Sequence, residues 1–321
     1  MRCLIIGICQ LEAVSKILLQ LPAFRALYPE TKVYLVFALE AEQMERILRE
    51  EVPQADLIIS QPVSRSYKGN PIFSTGVLRA SLREGARHLV VSNCYFTGYD
   101  PAPFQTTGLD GETIHKNRMS YYPALALPAL LEQSDVFSAH ASNGKNTLTL
   151  EQSYIKAARD WCNPEAYTSE EVEKNAAASL HALREREKRV FEENFPVDVT
   201  ISDFIEKEWR RQHLFHTYNH PTNALLFELT RRVAAAAGVP WSWDTEEVSQ
   251  KELLGEATIP PPPSVYLQGG FTFPYPPFVL NGEKETTRGA MRKMADSLRG
   301  DEPALRERWL SDVKSKLVRG K

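Results

Sequence analysis

The sequence of 321 residues contains only four cysteines, at positions 3, 9, 94 and 162, and no two of them form a C-x-x-C pair. A disulfide framework and a zinc ribbon are thereby excluded, and a reduced, cytoplasmic protein is expected. No apolar run approaches the roughly 18 residues that a membrane helix needs, so no integral membrane segment is expected. The first nine residues, MRCLIIGIC, look like the start of a signal peptide. However, the run stops at Gln10, Glu12 follows, and no small-x-small cleavage site appears, so a buried strand is the better reading. Basic excess is lacking too. Thirty-eight Lys and Arg stand against 41 Asp and Glu, a net charge of −3, and a nucleic-acid partner is not expected. Missing as well are G-x-G-x-x-G, the P-loop, the G-x-S-x-G elbow and D-x-D.

What is present suits a folded core: 43% of residues are hydrophobic and 25% charged. Strand and helix patterns alternate through the first ninety residues. Cys3–Ile8, Lys32–Phe37, Asp56–Ser60 and His88–Ser92 read as strands; Leu11–Leu21, Ala41–Glu50 and Thr75–Glu84 read as helices. The alternation predicts an α/β fold with a parallel, doubly wound sheet, whose sites form beyond the carboxyl ends of the strands. From about Tyr122 the pattern turns helical. Thr168–Glu171 is a capping box opening a helix to about Asn194, and Ser202–Gln212 and Pro221–Ala237 follow, the latter stopped by Gly238. Residues 255–283 are rich in Pro, Gly and aromatics and read as extended, and helices near 286–298 and 302–318 close the chain. An α/β core over 1–135 and a helical part over 148–321 would together make a single unit, 1–321.

Four clusters carry candidate chemistry. Gly7-Ile8-Cys9-Gln10 lies where the first strand meets its helix. Gly7 allows a sharp turn, and a thiol there faces the positive end of the helix dipole, which lowers its pKa. The same thiol also fits a plainer part, a small apolar residue ending a buried strand. His213, His216 and His220 have helical spacing, but Pro221 pushes His220 out of the α region. No metal triad is therefore expected, and His220, with Asn219 beside it, becomes an N-cap or loop residue. There it is either a general base or merely exposed. After the third strand come Gln61, Arg65 and Lys68, suited to a phosphate-bearing ligand or to an ordinary solvated loop. After the fourth, Asn93 stands where it could donate to an oxyanion, ahead of Cys94 and Tyr95.

In this order the motifs resemble the WcbI-type polysaccharide-biosynthesis family of capsule assembly, over roughly residues 1–230. The family's G-N-C-Q is matched by Gly7-Ile8-Cys9-Gln10, its segment after the third strand by Gln61-Pro62, its F-x-G-Y-x-P by Phe96 to Pro101, and its N-H-P by Asn219-His220-Pro221. Ile8 stands in place of the family's Asn, and Asp100 where a His is common. The resemblance implies an acetyltransferase with an SGNH-like layout, coenzyme A or acetyl-CoA as acyl carrier, and a carbohydrate hydroxyl as acceptor. With it, Cys9, His220 and Gln10 are expected in catalysis and Gly7, Gln61 and Asn219 in coenzyme binding; the loop readings add Asn93 to the first set and Arg65 and Lys68, as phosphate contacts, to the second. No D-x-x-H is present to orient His220. An SGNH-like esterase and a non-catalytic carbohydrate- or nucleotide-binding protein are the alternatives, and the oligomeric state is not legible.

Overall fold

The structure, a computed structural model, describes residues 1–67, 71–101, 104–105, 121–123, 125–131, 148–190, 196–242 and 251–299. Its contacts form two compact units interleaved along the chain. Unit 1 takes residues 1–96, 178–215 and 219–254, and unit 2 takes 97–177, 216–218 and 255–321. The sequence pattern divides the chain near 135–148. The contacts divide it at Phe96 and then return to unit 1 twice.

Unit 1 is built on a four-stranded parallel sheet of β1 (Arg2–Gly7), β2 (Glu30–Leu35), β3 (Leu57–Ser60) and β4 (Arg87–Val90), in the order β2-β1-β3-β4. Cys3 to Ile6 are all fully buried, as expected of a central parallel strand covered on both faces. Leu4, Ile6 and Ile58 share one face with Met44 and Ile47 of α3 (Ala41–Glu50). That helix opens with a capping box in which Gln43 accepts from the Glu40 N–H at 2.9 Å. The other helices of this unit include α1 (Cys9–Leu18), α2 (Pro22–Leu27) and α4 (Thr75–Ala80). In unit 2, α5 (Leu127–Leu131) and α6 (Leu150–Trp161) pack with the helix Thr287–Arg299 around Tyr122, Trp161, Phe278 and Met291.

Several boundaries differ from the sequence reading. The first helix starts at Cys9 rather than Leu11, and the fourth is four residues shorter than Thr75–Glu84. α7 (Ser169–Lys188) ends before Asn194. α8 spans Ser202–Glu208, and α9 spans Asn223–Ala237 rather than starting at Pro221, because His220–Pro221 is a short strand. The 255–283 stretch is not wholly extended: a six-residue helix, α10 (Pro263–Gln268), sits between short strands, its first turn opened by prolines that need no N–H there. The helix expected over 302–318 lies outside the described residues. No helix among the described residues is long and apolar enough to cross a membrane.

Candidate active site

β1 pairs with β2 on one side and with β3 on the other, so the strand order reverses at β1 and a crevice is expected beyond its carboxyl end. Gly7 closes that strand. Its backbone is not left-handed; the glycine is required by space, since a Cβ there would meet the Gln61 side-chain oxygen and Leu11 Cδ1, each at 2.8 Å. The turn reading of Gly7 is replaced by one of close approach.

Ile8 is the extended N-cap of α1 and offers no side-chain cap, which makes Cys9 the first helical residue. The Ile8 carbonyl accepts from Leu11 and Glu12, at 3.0 and 3.2 Å. The half-buried thiol of Cys9 receives hydrogen bonds from the backbone N–H groups of Gln10 and of Cys9 itself. Those donors favour thiolate, as the helix-dipole argument requires. Burial acts more strongly in the opposite direction, Glu12 adds to it, and the thiol pKa is raised above its ordinary value. The expected lowering is overturned: desolvation wins.

Gln10 is fully buried, and its amide binds three distant segments. Its Nε2 donates to the Cys94 carbonyl at 2.8 Å and to the Asn219 carbonyl at 2.7 Å. Its Oε1 accepts from the Cys94 N–H and from Gln61 Nε2, both at 2.9 Å. Both amide protons and both lone-pair directions are used. Gln61, also buried, turns its Oε1 to the Ile8 N–H at 2.9 Å. The two glutamines thus form a frame under the Cys9 turn, and neither amide points to a ligand.

The frame places the remaining residues. Cys94 is fully buried, and burial pushes its thiol pKa up. Next to it, the Asn93 side-chain oxygen is buried with no hydrogen-bond partner among the described residues. Such a group is normally satisfied, so it marks a position where a donor belongs. Tyr95 follows, with the Arg186 guanidinium carbon 5.5 Å from its ring centroid. Burial raises the Tyr95 pKa, the Cys9 charge raises it further, and Arg186 opposes both. Across the frame, the Asn219 carbonyl bound by Gln10 belongs to the peptide that joins Asn219 to His220. The side chain of Gln10, the residue after Cys9, therefore anchors the peptide that leads into His220. Beyond it, the Thr222 N–H donates to the Leu214 carbonyl and its hydroxyl to the His213 carbonyl, both at 2.9 Å, which pins the turn before α9.

The sequence-predicted set thus divides. Cys9, Gln10, Gln61, Asn93 and Asn219 lie on elements that the frame joins, with His220 adjacent. Arg65 is exposed on the loop after β3, and Lys68 lies outside the described residues. His213, His216 and His220 do not share a helix, for Phe215–Thr217 and His220–Pro221 are short strands. Within the described residues no group of three or more His, Cys, Asp or Glu could hold a metal. Arg186 was missed; in a charged helix reading REREK nothing in the sequence distinguishes one cation from the next.

Comparison with known proteins supplies the family and the fold. The sequence profile of the family described as polysaccharide biosynthesis enzyme WcbI matches residues 2–242. No curated protein matches the chain. Among solved structures, one of WcbI, described as a novel polysaccharide biosynthesis enzyme, is similar with a TM-score of 0.69 and 22% identity, covering 99% of this chain and 98% of its own. That structure is the native protein without a disulfide bond between coenzyme A and one of its cysteines. With three quarters of its length matched, the chain belongs to the WcbI family of polysaccharide biosynthesis enzymes.

Proposed function

We propose that the chain is a coenzyme A-dependent acyltransferase, transferring an acetyl group to a sugar hydroxyl, with Cys9 and His220 as its reactive pair. The observation that carries this is the Gln10 amide, which ties the Cys9 helix start, the Asn93–Cys94 loop and the Asn219–His220 peptide together within 2.9 Å hydrogen bonds. The solved relative whose cysteine is named with coenzyme A supports the choice of donor. Four free thiols suit the reducing cytoplasm, where that donor is found.

Because the Cys9 thiol pKa is raised, a base must take its proton as it reacts. His220 removes that proton while Cys9 Sγ attacks the acyl carbonyl of the coenzyme thioester. The coenzyme's sulfur leaves and takes the proton from His220. An acceptor hydroxyl, deprotonated in turn by His220, attacks the acyl-cysteine; the Cys9 sulfur leaves and takes that proton back from His220. The backbone N–H of Gln10, which already faces the sulfur, and the Asn93 side-chain amide meet the oxyanion in both steps. The Gln10 side chain and Gln61 are positioning residues. The raised thiol pKa also favours a second reading, in which His220 activates the acceptor directly and Cys9 only lines the site.

Thermal shift with coenzyme A, against nucleoside diphosphates, tests the donor; selective stabilisation by coenzyme A is expected. Hydrolysis and transfer from acetyl-CoA then test the chemistry. Cys9→Ser should keep coenzyme binding and lose transfer by orders of magnitude, as should His220→Ala. Full activity of Cys9→Ser would leave only the direct reading, and no response to coenzyme A would refute both.

A further inference from the structure

Unit 1 has a concavity that plays no part in the chemistry above. It is a groove of about 500 Å³ beside α9, in the range of ligand-binding clefts. Ala224, Phe227, Glu228 and Arg231, at helical spacings of three and four, line it from α9; Phe204 of α8 and Trp241 beyond α9 supply two more aromatic walls. Its polar groups are set rather than loose. Arg231 grips Glu228 through two parallel hydrogen bonds, each 2.8 Å, and Arg232 adds a third to Glu228 at 2.7 Å. Arg232 in turn is held by Asp203 at 2.6 and 2.8 Å.

Two cations and two carboxylates cancel. A phosphate or sulfate entering this groove would meet no cation without a carboxylate already on it, so the cluster does not select anions. A purely apolar ligand would bury the Arg231–Glu228 fork without using it, at a desolvation cost. A neutral polyhydroxylated ring satisfies both halves of the lining. Its C–H face lies on an aromatic ring, and its vicinal hydroxyls meet the remaining Arg231 N–H groups and Glu228 lone pairs, which the ion pair holds in one geometry.

We infer that the groove walled by Phe204, Phe227 and Trp241 binds a neutral saccharide. Its place in the chain links it to the site: Ala224 follows His220 by four residues, at most about 14 Å of extended chain. The saccharide is therefore the acceptor glycan, an assignment that rests on the acyltransfer reading, whereas the groove's affinity for sugar does not.

A printed array of neutral, uronic-acid-containing and sulfated oligosaccharides, probed with the full chain, tests this. Neutral oligosaccharides should be retained over acidic ones, equally by the unaltered chain and by Cys9→Ser. Arg231→Met, at an exposed position, and Trp241→Ala should each weaken retention about tenfold or more. Both should keep the thermal shift produced by coenzyme A. If Trp241→Ala proves poorly folded, Arg231→Met decides alone. Retention of no neutral glycan, preference for the sulfated ones, or undiminished binding by Arg231→Met would overturn the inference. Glycan binding without any response to coenzyme A would refute the acyltransfer reading and leave the groove standing.

Discussion

Gln61 donates its side-chain amide to the Gln10 side-chain oxygen at 2.9 Å, and this one contact joins the strand-one turn to the strand-three turn. Through it, the Ile8 N–H, the Cys94 peptide and the Asn219 carbonyl all belong to a single buried network. Networks of that kind cost most when half broken.

Gln10→Ala should therefore be severe. It strands the Cys94 N–H, two carbonyls and the Gln61 amide in a buried place, and a loss of about 3–5 kcal/mol is expected. Gln61→Ala removes two hydrogen bonds rather than four and should cost less. Urea denaturation of both variants gives the comparison; a Gln10→Ala midpoint equal to the parent's would dismiss the network.

Gly7→Ala should destabilise by about 1–3 kcal/mol through crowding alone, since its Cβ would press on Gln61 and Leu11. The Ile8 N–H to Gln61 bond should weaken with it, which amide hydrogen exchange at Ile8 reads directly. Unchanged protection at Ile8 would show that the turn accommodates a methyl group.

Cys9 should behave as a thiol, not a thiolate, at neutral pH. Its pKa is raised mainly by burial, so alkylation by iodoacetamide should climb about tenfold per pH unit from 7 to 9 without levelling. A plateau below pH 8, read by mass spectrometry of the Cys9 peptide, would mean that the N-terminal dipole outweighs burial after all.

His88 on β4 shares a 2.8 Å hydrogen bond with Ser60, and burial, helped by Arg79, pushes its pKa from 6.5 down to about 4. The folded protein thus resists protonation that the unfolded chain accepts. Its contribution to stability is complete above about pH 6.5 and is lost as the pH falls toward about 4. Between pH 7 and pH 5 the native chain should lose about 1–2 kcal/mol that His88→Gln does not. Parallel losses in the two proteins, measured by urea titration, would exclude His88 as the cause.

Much of the fold could be read from residue pattern alone. β1 and β3 announce themselves because their residues are almost all apolar and buried, β2 and β4 by shorter apolar runs, and α3 because its two buried residues are set in a charged helix. The short elements could not be read this way. His220–Pro221 is a strand because the turn around it is pinned by Thr222 to Leu214 and His213, contacts that no periodicity reveals. Cys9 and His220 are identifiable as chemistry-bearing types at junctions between elements. What surrounds them was not. Whether a glutamine offers its amide to a ligand or spends it on the backbone depends on partners 84 and 209 residues away. The sign of the Cys9 shift likewise depends on burial, a property of the whole unit rather than of the helix start.

Those separations govern the order of assembly. Unit 1 begins at the first residue, is interrupted by 97–177, and is completed only by 219–254. The Gln10 amide therefore has half of its donors unmatched until residue 219 has been synthesised and brought back. Closing so long a loop is not prohibitive, since each doubling of its length adds only about 0.6 kcal/mol, but it is slow compared with local contacts. A nascent or truncated chain can build the sheet and the Cys9 turn without acquiring the histidine. The Gln10 network thus acts as a completion signal: it closes only in a chain whose first and last segments of unit 1 have met.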